Sequence, residues 1–299
     1  MLLQLLGTAA GGGIPQWNCA CPGCSGARAH PERRRRHASL AVRTDDGRWY
    51  LVNATPDIGD QIEAHPALHP GPGPRQTPIA GVVLTDAELD HTLGIARLRE
   101  ADALEIHATA PVRRALQDRL RLGDILRPYT SLTWRDLPGH GAHPLGPPDE
   151  GLRITAVPVS AKRPRYAADA PEDEAWVVAL RLYEPATGRT AVYAPAVAAW
   201  SDALHRVAAE ADCVLVDGTF WDDEEPRRTG ISSRTATGMG HLPIDGPGGT
   251  AGILATLSAR CYYTHLNNTN PLVDPTAAQH KRLARLGIEV ADDELVIEL

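Results

Sequence analysis

Three short apolar runs, far apart in the chain, each lead into side chains that can ligate a metal. Gly81–Leu84 runs into Asp86-Ala-Glu88-Leu-Asp90-His91, Val214–Val216 into Asp217, and Cys261–Thr264 into His265. Runs of this length, rich in β-branched and aromatic residues, read as buried strands. In α/β layers, side chains just past the carboxyl ends of strands face the crevice where ligands bind. A fold that uses all three tips together must set these strands close to one another and aim their ends at one point. An Asp-His pair alone is more often a helix cap than a ligand pair. The distant carboxylate and imidazole make Asp90, His91, Asp217 and His265 one candidate open metal site. Asp86 and Glu88 are expected beside it as catalytic groups, orienting ligands or carrying a proton.

Further strand-like runs include Leu2–Leu6, Ser39–Arg43, Trp49–Asn53, Glu105–Ala108, Arg153–Val159, Trp176–Leu182, Thr190–Ala194 and Glu289–Ala291. Helix-like stretches lie between them at Ile58–His65, Thr92–Ala103, Pro111–Leu120, Ala198–Ala209, Gly249–Leu257 and Pro275–Leu286. The alternation predicts a layered α/β or α+β domain with sheets covered by helices, spanning 1–299 as one unit. His69–Pro78 and Pro138–Gly151, crowded with Pro and Gly, read as surface loops.

Of five cysteines, Cys213 and Cys261 sit singly in apolar runs and read as inert core residues. Cys19, Cys21 and Cys24 fall within six residues, an odd cluster that points to metal rather than disulfides. Thiolates bind zinc strongly, and structural zinc takes four ligands. His241, flanked by Gly238 and Gly240, is the candidate fourth ligand of a closed structural zinc site.

The formal net charge of −7 argues against a nucleic-acid partner held through phosphate neutralisation. The one dense basic run, Arg33 to Arg36, reads as a solvated turn. No apolar run is long enough to span a membrane, and Met1–Ala10 lacks the basic start and apolar length of a signal peptide. A cytoplasmic location is therefore expected, and a homodimer is left open. Gly11–Gly13 precedes no Lys-Ser/Thr and is not a phosphate loop; it is expected to let backbone pack near the site.

The strand-tip motifs resemble those of the metallo-β-lactamase superfamily, which implies an αββα sandwich. Matched position by position, Asp86, Glu88 and a residue near Ser160 stand where that superfamily has the histidines of a first metal site, while Asp90, His91, Asp217 and His265 keep the second. Long segments narrow the resemblance. Leu6 to Cys24, Asn53–Ile58, Leu215–Glu224, Gly238–Leu242, His265–Pro271 and Val296–Leu299 are similar to the pyrroloquinoline quinone (PQQ) biosynthesis protein B family. That resemblance implies His241 as the fourth zinc ligand. It also implies a small peptide-derived Glu-Tyr precursor of PQQ as substrate, with O2 as its partner. Two imidazoles plus carboxylates with open positions suit non-haem Fe(II), and zinc would bind there too. The activity implied is iron-dependent hydroxylation of the tyrosine ring. The alternatives are a carrier of PQQ or its precursor, and a mononuclear zinc hydrolase. An acidic, amino-acid-like substrate calls for cations and amides, for which Gln16, Arg227, Arg228, Arg234, Asn267 and Asn270 are the candidates.

Overall fold

The structure, a computed structural model, describes residues 1–139, 141–146 and 151–299. One sheet is built from β1 (Leu2–Gly7), β2 (Ser39–Arg43), β3 (Trp49–Val52), β4 (Ile79–Val83), β5 (Ala103–Ala108) and β6 (Ser131–Asp136). The other comprises β7 (His143–Pro144), β8 (Arg153–Ser160), β9 (Val177–Glu184), β10 (Arg189–Ala194), β11 (Cys213–Asp217), β12 (Arg260–Thr264) and β13 (Ile288–Val290). β14 (Val296–Glu298) returns to the first sheet and pairs with β1. The orders are β14-β1-β2-β3-β4-β5-β6 and β13-β12-β11-β10-β9-β8-β7.

Side chains alternate between the two faces of each strand, as the pleat requires. Leu40, Val42, Tyr50 and Val52 point between the sheets, where they meet Ile154, Leu180, Leu182 and Leu215. The intervening Ala41 and Leu51, and Val214 and Val216 of β11, face the helical layers that carry Ile58, Leu204 and Leu254. Each sheet has antiparallel strands on one side of its centre and parallel strands on the other. This is the αββα sandwich.

Several expected helices are shorter than their apolar pattern. The stretch placed at Thr92–Ala103 is an α-turn, Leu89–Thr92, followed by a 3-10 helix, Leu93–Leu98. Gly94 lies so close to residues 54 and 55 that a Cβ there would sit 2.0 Å from the Thr55 carbonyl oxygen, and this contact tightens the turn. The helix expected from Ala198 starts at Asp202, because Ser201 accepts a hydrogen bond from Leu204 N and caps it. Part of the Pro138–Gly151 loop lies outside the described residues, and the remainder includes β7. Arg33–Arg36 is not simply a solvated turn: Arg35 Nη1 donates to Thr8 Oγ1 (2.8 Å) and to the Ala291 carbonyl (2.6 Å). These bonds hold the run against the rim of the sheets.

Candidate metal centre

The loops after β4, β11 and β12 meet at the seam where the two sheets face each other. Asp90, His91 and His265 each offer a ligand atom within 4.8 Å of the others; so do Asp217, His241 and His265, and the two groups share His265. The four residues expected at the open site are thus brought together. His241 joins them, against expectation.

All three imidazoles are oriented in the same way. His91 Nδ1 donates to Asp86 Oδ2 at 2.7 Å, and its Nε2 is buried without a hydrogen-bond partner. His241 Nδ1 donates to Asp217 Oδ2 at 2.8 Å. Thr219 Oγ1 spends its proton on Asp217 Oδ1 (2.6 Å), so at 2.8 Å it accepts from His265 Nδ1. A neutral imidazole that donates through Nδ1 keeps its lone pair on Nε2. Each ring therefore presents Nε2 as its ligand atom, fixed by a carboxylate directly or through one hydroxyl, the arrangement typical of metal-ligating histidine. The buried, unpartnered Nε2 of His91 is the observation that fits this cleft to a metal cation. His265 is held at φ 58, a left-handed conformation that costs energy in a non-glycine residue and aims the ring across the site. Its ring stacks on His241, with centroids 5.7 Å apart, and meets His91 edge-on at 5.4 Å.

The electrostatics follow from burial and pairing. Burial opposes the charge on Asp86, but the His91 charge and hydrogen bonds from His91, Glu88 N and Thr85 bring it down to about 2. Burial likewise opposes protonation of His91, yet Asp86 and Asp90 raise it to about 9, so without a cation Nε2 holds a proton that a metal bound there would displace. Burial and the neighbouring His91 charge push His265 down to about 4, leaving it neutral. Asp217 accepts from Val197 N, Thr219 N, Thr219 Oγ1 and His241 Nδ1, so both of its oxygens are engaged. Its position is behind His241, as Asp86 is behind His91.

The cysteine cluster is separate. Cys19, Cys21 and Cys24 offer sulfurs within 4.8 Å of one another, Cys21 also capping the helix Pro22–Ala29. His241 is not among them, because it lies with Asp217 and His265 at the other cluster. The side-chain amide of Asn268 faces the three sulfurs instead, at 3.0, 3.4 and 3.1 Å from Cys19, Cys21 and Cys24. Turned over, that amide presents its carbonyl oxygen to the same point, which makes Asn268 the fourth donor at hand for a zinc ion. Burial works against ionising Cys19, but surrounding donors hold its thiol below the usual value, while burial pushes Cys21 up to about 11. Three thiols this close do not ionise together without a cation among them.

The candidate substrate residues have other occupations. Asn270 is fully buried; its amide donates to the Gly218 carbonyl and accepts from Leu272 N, so it ties loops and does not face a substrate. Gln16 Nε2 bonds Asn18 within the cysteine loop, and Asn267 Nδ2 bonds Thr269. Arg227 and Arg228 are exposed and paired with Glu224 and Asp222, while Arg234 reaches the Gly238 carbonyl. Sequence reasoning gave no role to Thr219, although it lies in the Leu215–Glu224 segment. It also missed His37, which is paired with Asp57 and lies against Gly13. The Gly11–Gly13 turn does bring backbone to the site: the Cβ position of Gly11 is 3.8 Å from Asp90 Oδ2.

Residues 48–266 match the Beta-lactamase superfamily domain. "Coenzyme PQQ synthesis protein B" of Cupriavidus necator is 42% identical over 99% of both chains. The protein of that name from Methylococcus capsulatus is 40% identical over the full length of both. The chain belongs to the coenzyme PQQ synthesis protein B family. Among solved structures, the Zn(2+)-bound PqqB from Methylobacterium extorquens superposes with a TM-score of 0.89 at 33% identity, covering all of both chains. A diphosphatase from the PhnP family shares the fold, with a TM-score of 0.68 at 21% identity over 100% of this chain and 97% of its own. The family thus shares its scaffold with the Beta-lactamase superfamily domain.

Proposed function

We propose that the chain acts in PQQ biosynthesis as a metal-dependent enzyme that hydroxylates the tyrosine ring of a Glu-Tyr-derived precursor. The observation that carries this reading is the Asp90, His91 and His265 group, two imidazoles and one carboxylate with the buried His91 Nε2 turned to their meeting point. That donor set suits non-haem Fe(II), which when bound supplies activation of O2. Asp86 holds His91 in the ligating tautomer, and Asp217 with Thr219 does the same for His241 and His265. Hydroxylation also consumes two electrons from an external reductant. The cysteine cluster with Asn268 is read as a closed structural zinc site, coordinatively filled and apart from the chemistry.

The test is anaerobic loading with Fe(II), addition of Glu-Tyr and a reductant, then O2, with products read by mass spectrometry. A gain of one or two oxygen atoms on the tyrosine ring, dependent on Fe(II) and lost in His91→Ala, is the expected result. No product at confirmed iron occupancy sinks the hydroxylase reading and turns attention to a carrier role, tested by PQQ binding.

A further inference from the structure

Lys162 follows the end of β8 by two residues and lies across the gap between two loops of the metal centre. Its ammonium is 3.6 Å from Glu88 Oε1, on the loop that carries Asp90 and His91. Its stem passes over Gly240, the residue before His241, where a Cβ would meet Lys162 Cδ at 3.1 Å. Gly240 has φ +93, so its lack of a side chain serves both the turn and the passage of the lysine. The segment is anchored, because Tyr166 Oη donates to the Ala87 carbonyl at 2.7 Å and Lys162 N donates to Ser160 Oγ.

An exposed lysine is ordinarily a solvated charge. Here the stem is seated, and the ammonium has donors to spare: 3.6 Å is an ion-pair distance, longer than an N–H···O hydrogen bond. Of the arginines expected to bind substrate, Arg227 and Arg228 are paired with Glu224 and Asp222, and Arg234 reaches the Gly238 carbonyl. The centre itself is rich in carboxylates, with Asp86, Glu88, Asp90 and Asp217 all close to it. An acidic substrate entering that field needs a cation besides the metal.

The geometry points to Lys162 as the residue that binds a carboxylate of the substrate, and so as a specificity determinant. This rests on the Glu-Tyr reading above. A charge-assisted hydrogen bond in such a cleft corresponds to about a 10- to 100-fold effect on affinity.

Protein loaded with Zn(II), which cannot turn over, is titrated calorimetrically with Glu-Tyr, Gln-Tyr and the C-terminal amide of Glu-Tyr. Lys162→Met is expected to weaken Glu-Tyr by about 10- to 100-fold at unchanged metal content, with Lys162→Arg within a few-fold of wild type. For one of the two neutralised peptides, wild type and Lys162→Met should bind alike. Wild-type affinity for Glu-Tyr in Lys162→Met overturns the proposal alone. An equal loss for all three peptides, or loss of metal from Lys162→Met, also overturns it, since the lysine would then be supporting the loops. Failure of the wild type to bind Glu-Tyr overturns the substrate reading and the proposal with it.

Discussion

Asp86 is almost wholly buried and yet ionised, because three donors converge on it and one of them is an imidazole. Replacing it with Asn leaves the shape but offers an N–H where His91 needs an acceptor. The His91 proton then moves to Nε2 and blocks the ligating lone pair. Asp86→Asn is expected to weaken metal binding at the open site by about 10- to 100-fold, measured by competition with a chromophoric chelator. Zinc at the cysteines should be retained. Glu225 is the opposite case. Its carboxylate accepts from Trp221 N and Thr269 Oγ1, but burial dominates and lifts it to about 7 from the ordinary 4.5. Between those values the folded chain keeps a proton that the unfolded chain has lost, so stability falls as pH rises through the window. Glu225→Gln cannot ionise. Relative to wild type, its melting temperature should therefore be higher at pH 8 than at pH 5, and a difference independent of pH would contradict the assignment.

At the scale of elements, the strands were the legible part, and for a physical reason. β2, β3, β11 and β12 are buried on both faces, so each appears as an unbroken apolar run. β6, with the sequence Ser-Leu-Thr-Trp-Arg-Asp, is a mostly exposed edge and lacks that signature. The helix Pro22–Ala29 escaped notice because Gly, Ser and Cys are poor helix formers. It exists because Cys21 caps it and Cys24 is drawn inward. The candidate ligands were picked out from strand tips, but which of them share a cluster was not legible. Nothing in Gly-His241-Leu says which centre the loop approaches, and Asn268 sits in a run of amides with no zinc signature. Asn268 lies three residues after His265, so the loop that reaches the cysteine cluster also carries a candidate open-site ligand. Asn268→Ala should release cysteine-bound zinc to a chelator faster than wild type. His265→Ala should lose metal from the open site and leave the cysteine zinc in place. Loss of both metals in a folded His265→Ala variant would show that the two centres are not separable.

The arrangement of the centre bears on how the whole chain holds together. Asp90 and His91 follow β4 of one sheet, whereas His265 follows β12 of the other. β14 leaves the second half of the chain and completes the first sheet beside β1, and a common layer of side chains fills the space between the sheets. A boundary between two independently folding halves would have to cut this core and divide the ligands of one metal. We therefore propose that 1–299 folds as one cooperative unit, which the open-site metal clamps across the seam. A ligand that binds only the folded state stabilises it by about 2.7 kcal/mol at a hundred times its dissociation constant. For a chain of this size that amounts to several degrees in melting temperature. Stripping the open-site metal, with the cysteine zinc left in place, should lower the melting temperature by that order while far-UV and near-UV circular dichroism continue to report one coincident transition. Two separated transitions in the stripped protein, merging when metal is restored, would mean that the sheets fold apart and the ion alone joins them. A single transition unmoved by metal would mean that the ion binds the folded chain no better than the unfolded one, and that the shared apolar layer alone holds the seam.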